Sequence, residues 1–167
     1  MDSEKVYECL TRGFQPTTES AAAEPRSLGL NDMAIARLTI CDWQGVNKRD
    51  TEVDDPVWSD VESAIRALNN RNLNDVYLQP DRTDSETYLC VGGGAGRYIA
   101  SGAVNNAAFP TLVDPLRSRE PKVILMVGGQ PGDYPSNWVV DLQSALRAAK
   151  SFYDAGGFSS DVNWVSV

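Results

Sequence analysis

The stretch Tyr88-Leu-Cys-Val-Gly92-Gly-Gly-Ala-Gly96-Arg-Tyr-Ile99 sets four glycines between two apolar runs. It has an echo. Leu89 to Tyr98 reads L-x-V-G-G-x-x-G-x-Y, and so does Leu125 to Tyr134. Glycine carries no Cβ and adopts positive φ without a clash, so each cluster reverses or bulges the chain. Any fold open to this sequence is built around what these two turns join. The first lies between the strand-like runs Thr87–Val91 and Arg97–Ser101. The second follows the apolar run Lys122–Val127 and precedes a helical pattern that begins near Ser136. On this reading one turn links strand to strand and the other strand to helix, so the echo is local convergence on a turn rather than a duplication.

The remaining elements follow from periodicity. Met33 to Asp42 predicts a strand, with Ile35, Leu38 and Ile40 or Cys41 contributing to the core. The polar segment from Asn47 to Asp55 reads as a loop. Asp55 is the expected N-cap of a helix with Pro56 at its first position, where the missing N–H costs nothing. Val57 or Trp58, Val61, Ile65 and Leu68 form its apolar stripe, and Asn69-Asn70 ends it. Val76-Tyr77-Leu78 is a strand, and Asp81 to Glu86 a polar turn. Gly102 to Arg119 reads as irregular. Lys122 to Val127 is almost continuously apolar, which predicts a central strand buried on both faces or nearly so. Ser136 is the expected N-cap of a long helix striped by Trp138, Leu142, Ala145 or Leu146, Ala149 and Phe152. Gly156-Gly157 stops it. Val162 to Val167 alternates as a last strand.

Strands dominate the middle of the chain and two amphipathic helices flank them. The predicted fold class is α+β: a mainly antiparallel sheet of about five or six strands with two helices packed on one face. At 167 residues the chain suits a single domain. Residues 1–27, with Pro16, Pro25 and a run of Ser, Thr and Ala, read as a leader, partly flexible, and 28–167 as the globular unit. No apolar run approaches the ~20 residues of a membrane helix, and no secretory signal is visible at the N-terminus. A cytoplasmic location is therefore expected.

Several chemistries are disfavoured. The chain contains no histidine, which removes histidine-based triads, imidazole metal ligands and imidazole proton shuttles. The three cysteines, Cys9, Cys41 and Cys90, are far apart in sequence and form no C-x-x-C pair. Cys41 and Cys90 lie in apolar runs and read as small buried hydrophobes. Neither glycine turn has the spacing of a dinucleotide or nucleoside-triphosphate loop. A structural turn is the better reading, with a small-molecule or nucleotide-binding module as the alternative function. Carboxylates cluster at Asp50, Glu52, Asp54 and Asp55, and again at Asp81, Asp84 and Glu86, without the spacing of a calcium loop. No metal, cofactor or enzymatic activity is expected. A net charge of −8 argues against direct nucleic-acid binding and permits a basic protein partner.

The order of these elements resembles a known family. A strand ends near Trp43 and a helix follows it. Then come the Val76-Tyr77-Leu78 strand, L-C-V-G-G-G-A-G-R-Y, and the V-I-L-M-V-G-G-Q run. The helix V-V-D-L-Q-S-A-L-R-A-A-K-S-F-Y-D-A-G-G and a terminal V-N-W-V close the series. From Met33 to Val167 the chain is similar to the first-numbered immunity-protein family of bacterial polymorphic toxin systems. The resemblance implies a non-enzymatic α+β protein that binds and neutralises a cognate toxin, often a nucleic-acid deaminase, by blocking its active site or substrate channel. The family supplies no residue roles to carry over. From residue type and position, the expected toxin-binding residues are Trp43, Asp81, Asp84, Glu86, Arg97, Tyr98, Asp133 and Tyr134.

Overall fold

The structure is a computed structural model that describes residues 35–83 and 86–166. The expected leader, Cys9, Asp84 and the first residues of the predicted opening strand lie outside the described residues. Seven strands form one antiparallel sheet: β1 Arg37–Gln44, β2 Asn47–Asp54, β3 Leu73–Gln79, β4 Tyr88–Gly94, β5 Arg97–Ala103, β6 Pro110–Leu112 and β9 Trp164–Ser166. Their order across the sheet is β2-β1-β3-β4-β5-β6-β9. A separate two-stranded hairpin comprises β7 Val123–Val127 and β8 Gln130–Tyr134. Helices α1 Trp58–Ala67 and α2 Leu142–Ala155 complete the fold. The antiparallel α+β class is as expected, and the sheet is wider than five or six strands.

Alternation along the strands assigns each face its cover. Leu38, Val76, Leu78, Leu89, Val91, Tyr98 and Ala100 project to one side and form a core with Val61, Ala64 and Ile65 of α1 and Ala145, Ala148, Ala149 and Phe152 of α2. The three alanines let α2 approach the sheet closely. Cys41, Tyr77, Cys90 and Ile99 project to the other side and form a second core with Leu125, Val127, Tyr134 and Trp138. The protein is therefore three-layered, with helices, sheet and hairpin stacked in that order.

That third layer corrects the reading of Lys122–Val127. The run is no central strand. Leu125 and Val127 are buried against the sheet, while Ile124 on the other face is 63% exposed. The second glycine turn is corrected with it. Gly128 (φ 62°) and Gly129 (φ 75°) reverse β7 into β8, as Ala95 (φ 54°) and Gly96 (φ 87°) reverse β4 into β5. Both are two-residue hairpin turns with two positive φ values, the form that matches strand twist. The echo in sequence is thus an echo in local structure, offset by three residues: Gly92 to Gly94 are the end of a strand, whereas Gly128-Gly129 are the turn itself.

Three further expectations change. Asn47 to Asp55 contains a strand rather than a loop. Residues of β2 pair with β1 from Asn47↔Gln44 to Asp54↔Arg37, and charge along an edge strand discourages pairing with another chain. Asp55 adopts φ 50° and is not the N-cap of α1. Val57 holds that position, and the Asp60 carboxylate accepts its N–H at 3.0 Å. Ser136 opens a short 3-10 turn, Ser136–Trp138, that precedes the helix. The N-cap of α2 is Asp141, whose Oδ1 accepts the Ser144 N–H at 2.8 Å. That bond holds the Asp141 carboxyl below its usual range. Gly156, at φ 63°, ends α2 as expected. The stretch read as irregular before Arg119 contains β6, which links β5 to β9.

Candidate interaction surface

The registers place the expected site residues. Trp43 pairs with Lys48 at the end of β1 where β3 begins, and Arg97 pairs with Gly94 where β5 begins. These positions share one end of the sheet. Asp81 and Glu86 lie in the loop between β3 and β4, at the opposite end, and Asp84 lies outside the described residues. Asp133 is on β8, across from Ile124. The fold therefore distributes this set over three parts of the surface.

Their environments differ as much as their positions. Arg97, Asp81 and Glu86 are exposed and Asp133 is half-buried. Asp81 Oδ1 accepts the Thr83 N–H at 2.7 Å and the Thr83 hydroxyl at 2.8 Å, which tightens its own loop. Tyr98 and Tyr134 are buried, one in each core, and support the surface from beneath. Trp43 is half-buried under the hairpin turn. A Cβ on Gly129 would overlap its ring. Its indole N–H donates to Asp75 Oδ1 at 2.8 Å, and Lys48 Nζ stands 5.8 Å from its ring centroid.

Asp75 is the chemical centre of this end of the sheet. It is fully buried on the hairpin side, in the cross-strand row Cys41–Asp75–Gly92–Ile99. Burial raises its carboxyl above the ordinary range, and hydrogen bonds from Trp43, Cys41 and Tyr77 offset part of that. Burial likewise raises the Cys41 thiol and the Tyr77 and Tyr88 phenols. Cys41 and Cys90 are free and buried, as their apolar settings predicted. A thiol held protonated in this way is a packing group rather than a nucleophile.

Sequence reasoning missed Asp75, and it missed the residues that dock the hairpin. Asn70 Oδ1 accepts the Met126 N–H at 2.7 Å, and Asn74 Oδ1 accepts the Gly129 N–H at 3.2 Å. The signal was the asparagine-rich run Asn69-Asn-Arg-Asn-Leu-Asn-Asp75, whose amides suit main-chain capping. The acid cluster around β2 is matched by cations. Arg37 pairs with Glu52 at 3.3 Å and Asp54 at 3.1 Å, Lys48 pairs with Asp50 at 2.8 Å, and Arg82 pairs with Asp54 and Asp55.

Gly92 is covered by the hairpin, where an added Cβ would lie 2.6 Å from Val127 Cγ1. Among the described residues, no group of three His, Cys, Asp or Glu is placed to hold a metal ion. No described helix is long and apolar enough to cross a membrane.

These features define a small, three-layered α+β domain whose interior titratable groups are engaged in packing and docking. The profile of the family Immunity protein Imm1 matches residues 49–166, from within β2 to the end of β9, and the chain belongs to that family. No match is found among curated proteins.

Proposed function

We propose that this chain is an immunity protein that binds and neutralises a cognate bacterial toxin inside the cell that makes both. Membership of the Immunity protein Imm1 family across residues 49–166 carries the reading. The proposal extends to mechanism. The protein acts by occupancy and not by catalysis, and the toxin is a nucleic-acid deaminase whose active site or substrate channel is covered. Such an enzyme needs a zinc-activated water and a pocket for an extruded base, and a channel that holds nucleic acid is basic. A chain of net charge −8 suits a basic partner. A stable complex of this kind buries on the order of 1,600 Å² in total. Arg97, Asp81, Glu86, Asp133 and Trp43 are the expected contact residues whose side chains reach the surface or approach it.

Co-expression with the toxin encoded beside this chain tests the reading. Rescue of growth and recovery of a stoichiometric complex are expected. Unrelieved toxicity together with failure to co-purify would end it. The deaminase assignment is tested separately, by sequencing nucleic acid from intoxicated cells for C-to-T or A-to-G changes that the immunity chain suppresses.

A further inference from the structure

Two large apolar side chains among the described residues stand almost wholly in solvent: Val46 and Leu116, each 94% exposed. Val46 occupies the tight turn between β1 and β2, beside Gly45 at φ 68°, where chain reversal is the only requirement. Leu116 is placed differently. It sits at the tip of Asp114-Pro115-Leu116-Arg117, a turn fastened at both ends. The Arg117 N–H donates to the Asp114 carbonyl at 3.2 Å, and the Leu116 N–H donates to Asp114 Oδ1 at 3.0 Å. Arg117 Nε pairs with Asp114 Oδ2 at 3.2 Å, and its Nη1 donates to the Val139 carbonyl at 3.0 Å. The Asp114 N–H donates to the Asn137 carbonyl at 2.7 Å. Pro115 fixes one φ more. A turn held this firmly has already lost its conformational freedom, so a partner that binds it meets little further ordering cost. The folded chain itself gains nothing from the leucine at the tip.

Beside the turn lies a cleft of about 290 Å³ between residues 112–117 and the first turns of α2. Its charged groups are Asp114, Arg117, Asp141 and Arg147. The first three are engaged: Asp114 and Arg117 with each other, and Asp141 with Ser144. The Arg147 side chain is exposed and makes no ion pair or hydrogen bond among the described residues. An apolar knob next to a cleft with one exposed guanidinium, which acts on Asp141 through its charge but makes no hydrogen bond, is the residue chemistry of a binding anchor.

We propose that the Leu116 turn and its cleft anchor the toxin, with Leu116 entering an apolar recess of the toxin and Arg147 meeting a carboxylate at the rim of that recess. The proposal rests on the toxin-binding reading above and specifies its surface. The cleft's two carboxylates and two guanidinium groups balance, so the contact it fits is an apolar recess with a single carboxylate at its edge for Arg147, distinct from a basic channel wall.

The test titrates the full chain and three variants against a catalytically inactive form of the toxin domain encoded beside it, by calorimetry. Leu116→Asp and Arg147→Glu are each expected to weaken binding about tenfold or more. Val46→Asp, equally exposed, is expected to stay within about twofold of the parent. Thermal melts of all three should remain close to the parent, since the altered side chains are exposed. Undiminished binding by Leu116→Asp overturns the proposal and leaves the toxin-binding reading standing. An equal loss in Val46→Asp also overturns it, because the effect would then belong to added charge and not to this turn. Absence of binding by the parent chain sinks the toxin-binding reading itself.

Discussion

Asp75 shows how one residue sets a measurable property of the protein. Its carboxyl is fully buried, burial is the largest influence on it, and its folded pKa is raised. A raised carboxyl pKa means that the folded state binds the proton more tightly than the unfolded chain does. The stability associated with that proton is present in full below the ordinary carboxylate pKa and is lost as pH rises toward the folded value. Asn at this position keeps an acceptor for the Trp43 N–H and removes the charge. Asp75→Asn should therefore melt close to the parent below the ordinary carboxylate range and increasingly above it as pH rises through and beyond that range. Thermal melts across that range check this, and a difference that does not change with pH would count against it. The partner tells the complementary story. Trp43→Phe keeps the ring under Gly129 but strips Oδ1 of its donor, a loss on the order of 1–3 kcal/mol for a buried acceptor.

The hairpin is the element that most distinguishes this fold from a plain two-layer sheet. It is docked by Val127 against Gly92, by the Asn70 and Asn74 side chains, and by Gly129 over Trp43. Gly92→Ala would set a Cβ 2.6 Å from Val127 Cγ1. Overpacking of this kind costs about 1–3 kcal/mol. If the cost comes from that one approach, the double variant Gly92→Ala/Val127→Ala should be more stable than the sum of the single effects allows. Urea unfolding of the four proteins gives the coupling directly, and simple additivity would refute the docking account. The same element marks the limit of what the sequence discloses. The helices were legible because Val61, Ile65 and Leu68, and likewise Ala145, Ala149 and Phe152, repeat at helical steps. The apolar run Val123–Val127 cannot distinguish a central strand from a hairpin with one buried face, and only the exposure of Ile124 separates them. Nor can Asn47–Asp54, charged on both faces, be told from a loop, because an edge strand needs no apolar alternation. The candidate surface was less legible still. The burial of Tyr98 and Tyr134 and the bareness of Leu116 are products of long-range packing that no local pattern encodes.

At the scale of the whole molecule, net charge and local charge say different things. The chain carries −8 in total, yet the densest group of acids, along β2 and just after it, is paired with Arg37, Lys48 and Arg82. Those pairs are partly exposed, where an ion pair contributes little to stability but cancels the near field of both partners. What survives at a distance is the net negative field of the body, and that field acts on encounter more than on the bound state. The anchor proposed at Leu116 is apolar and rigid, so it governs how long the complex lasts. The two contributions should therefore separate kinetically. Raising the salt from about 0.02 M to about 0.5 M shortens the screening length from roughly 20 Å to roughly 4 Å. The association rate with a basic toxin should then fall by about tenfold or more, and the dissociation rate should change far less. Leu116→Asp should show the reverse pattern, with faster dissociation and nearly unchanged association. Surface-immobilised toxin domain and a salt series resolve both rates. An association rate indifferent to salt would mean that the partner is not basic, and would remove the charge argument for a covered nucleic-acid channel while leaving the anchor to be judged on dissociation alone.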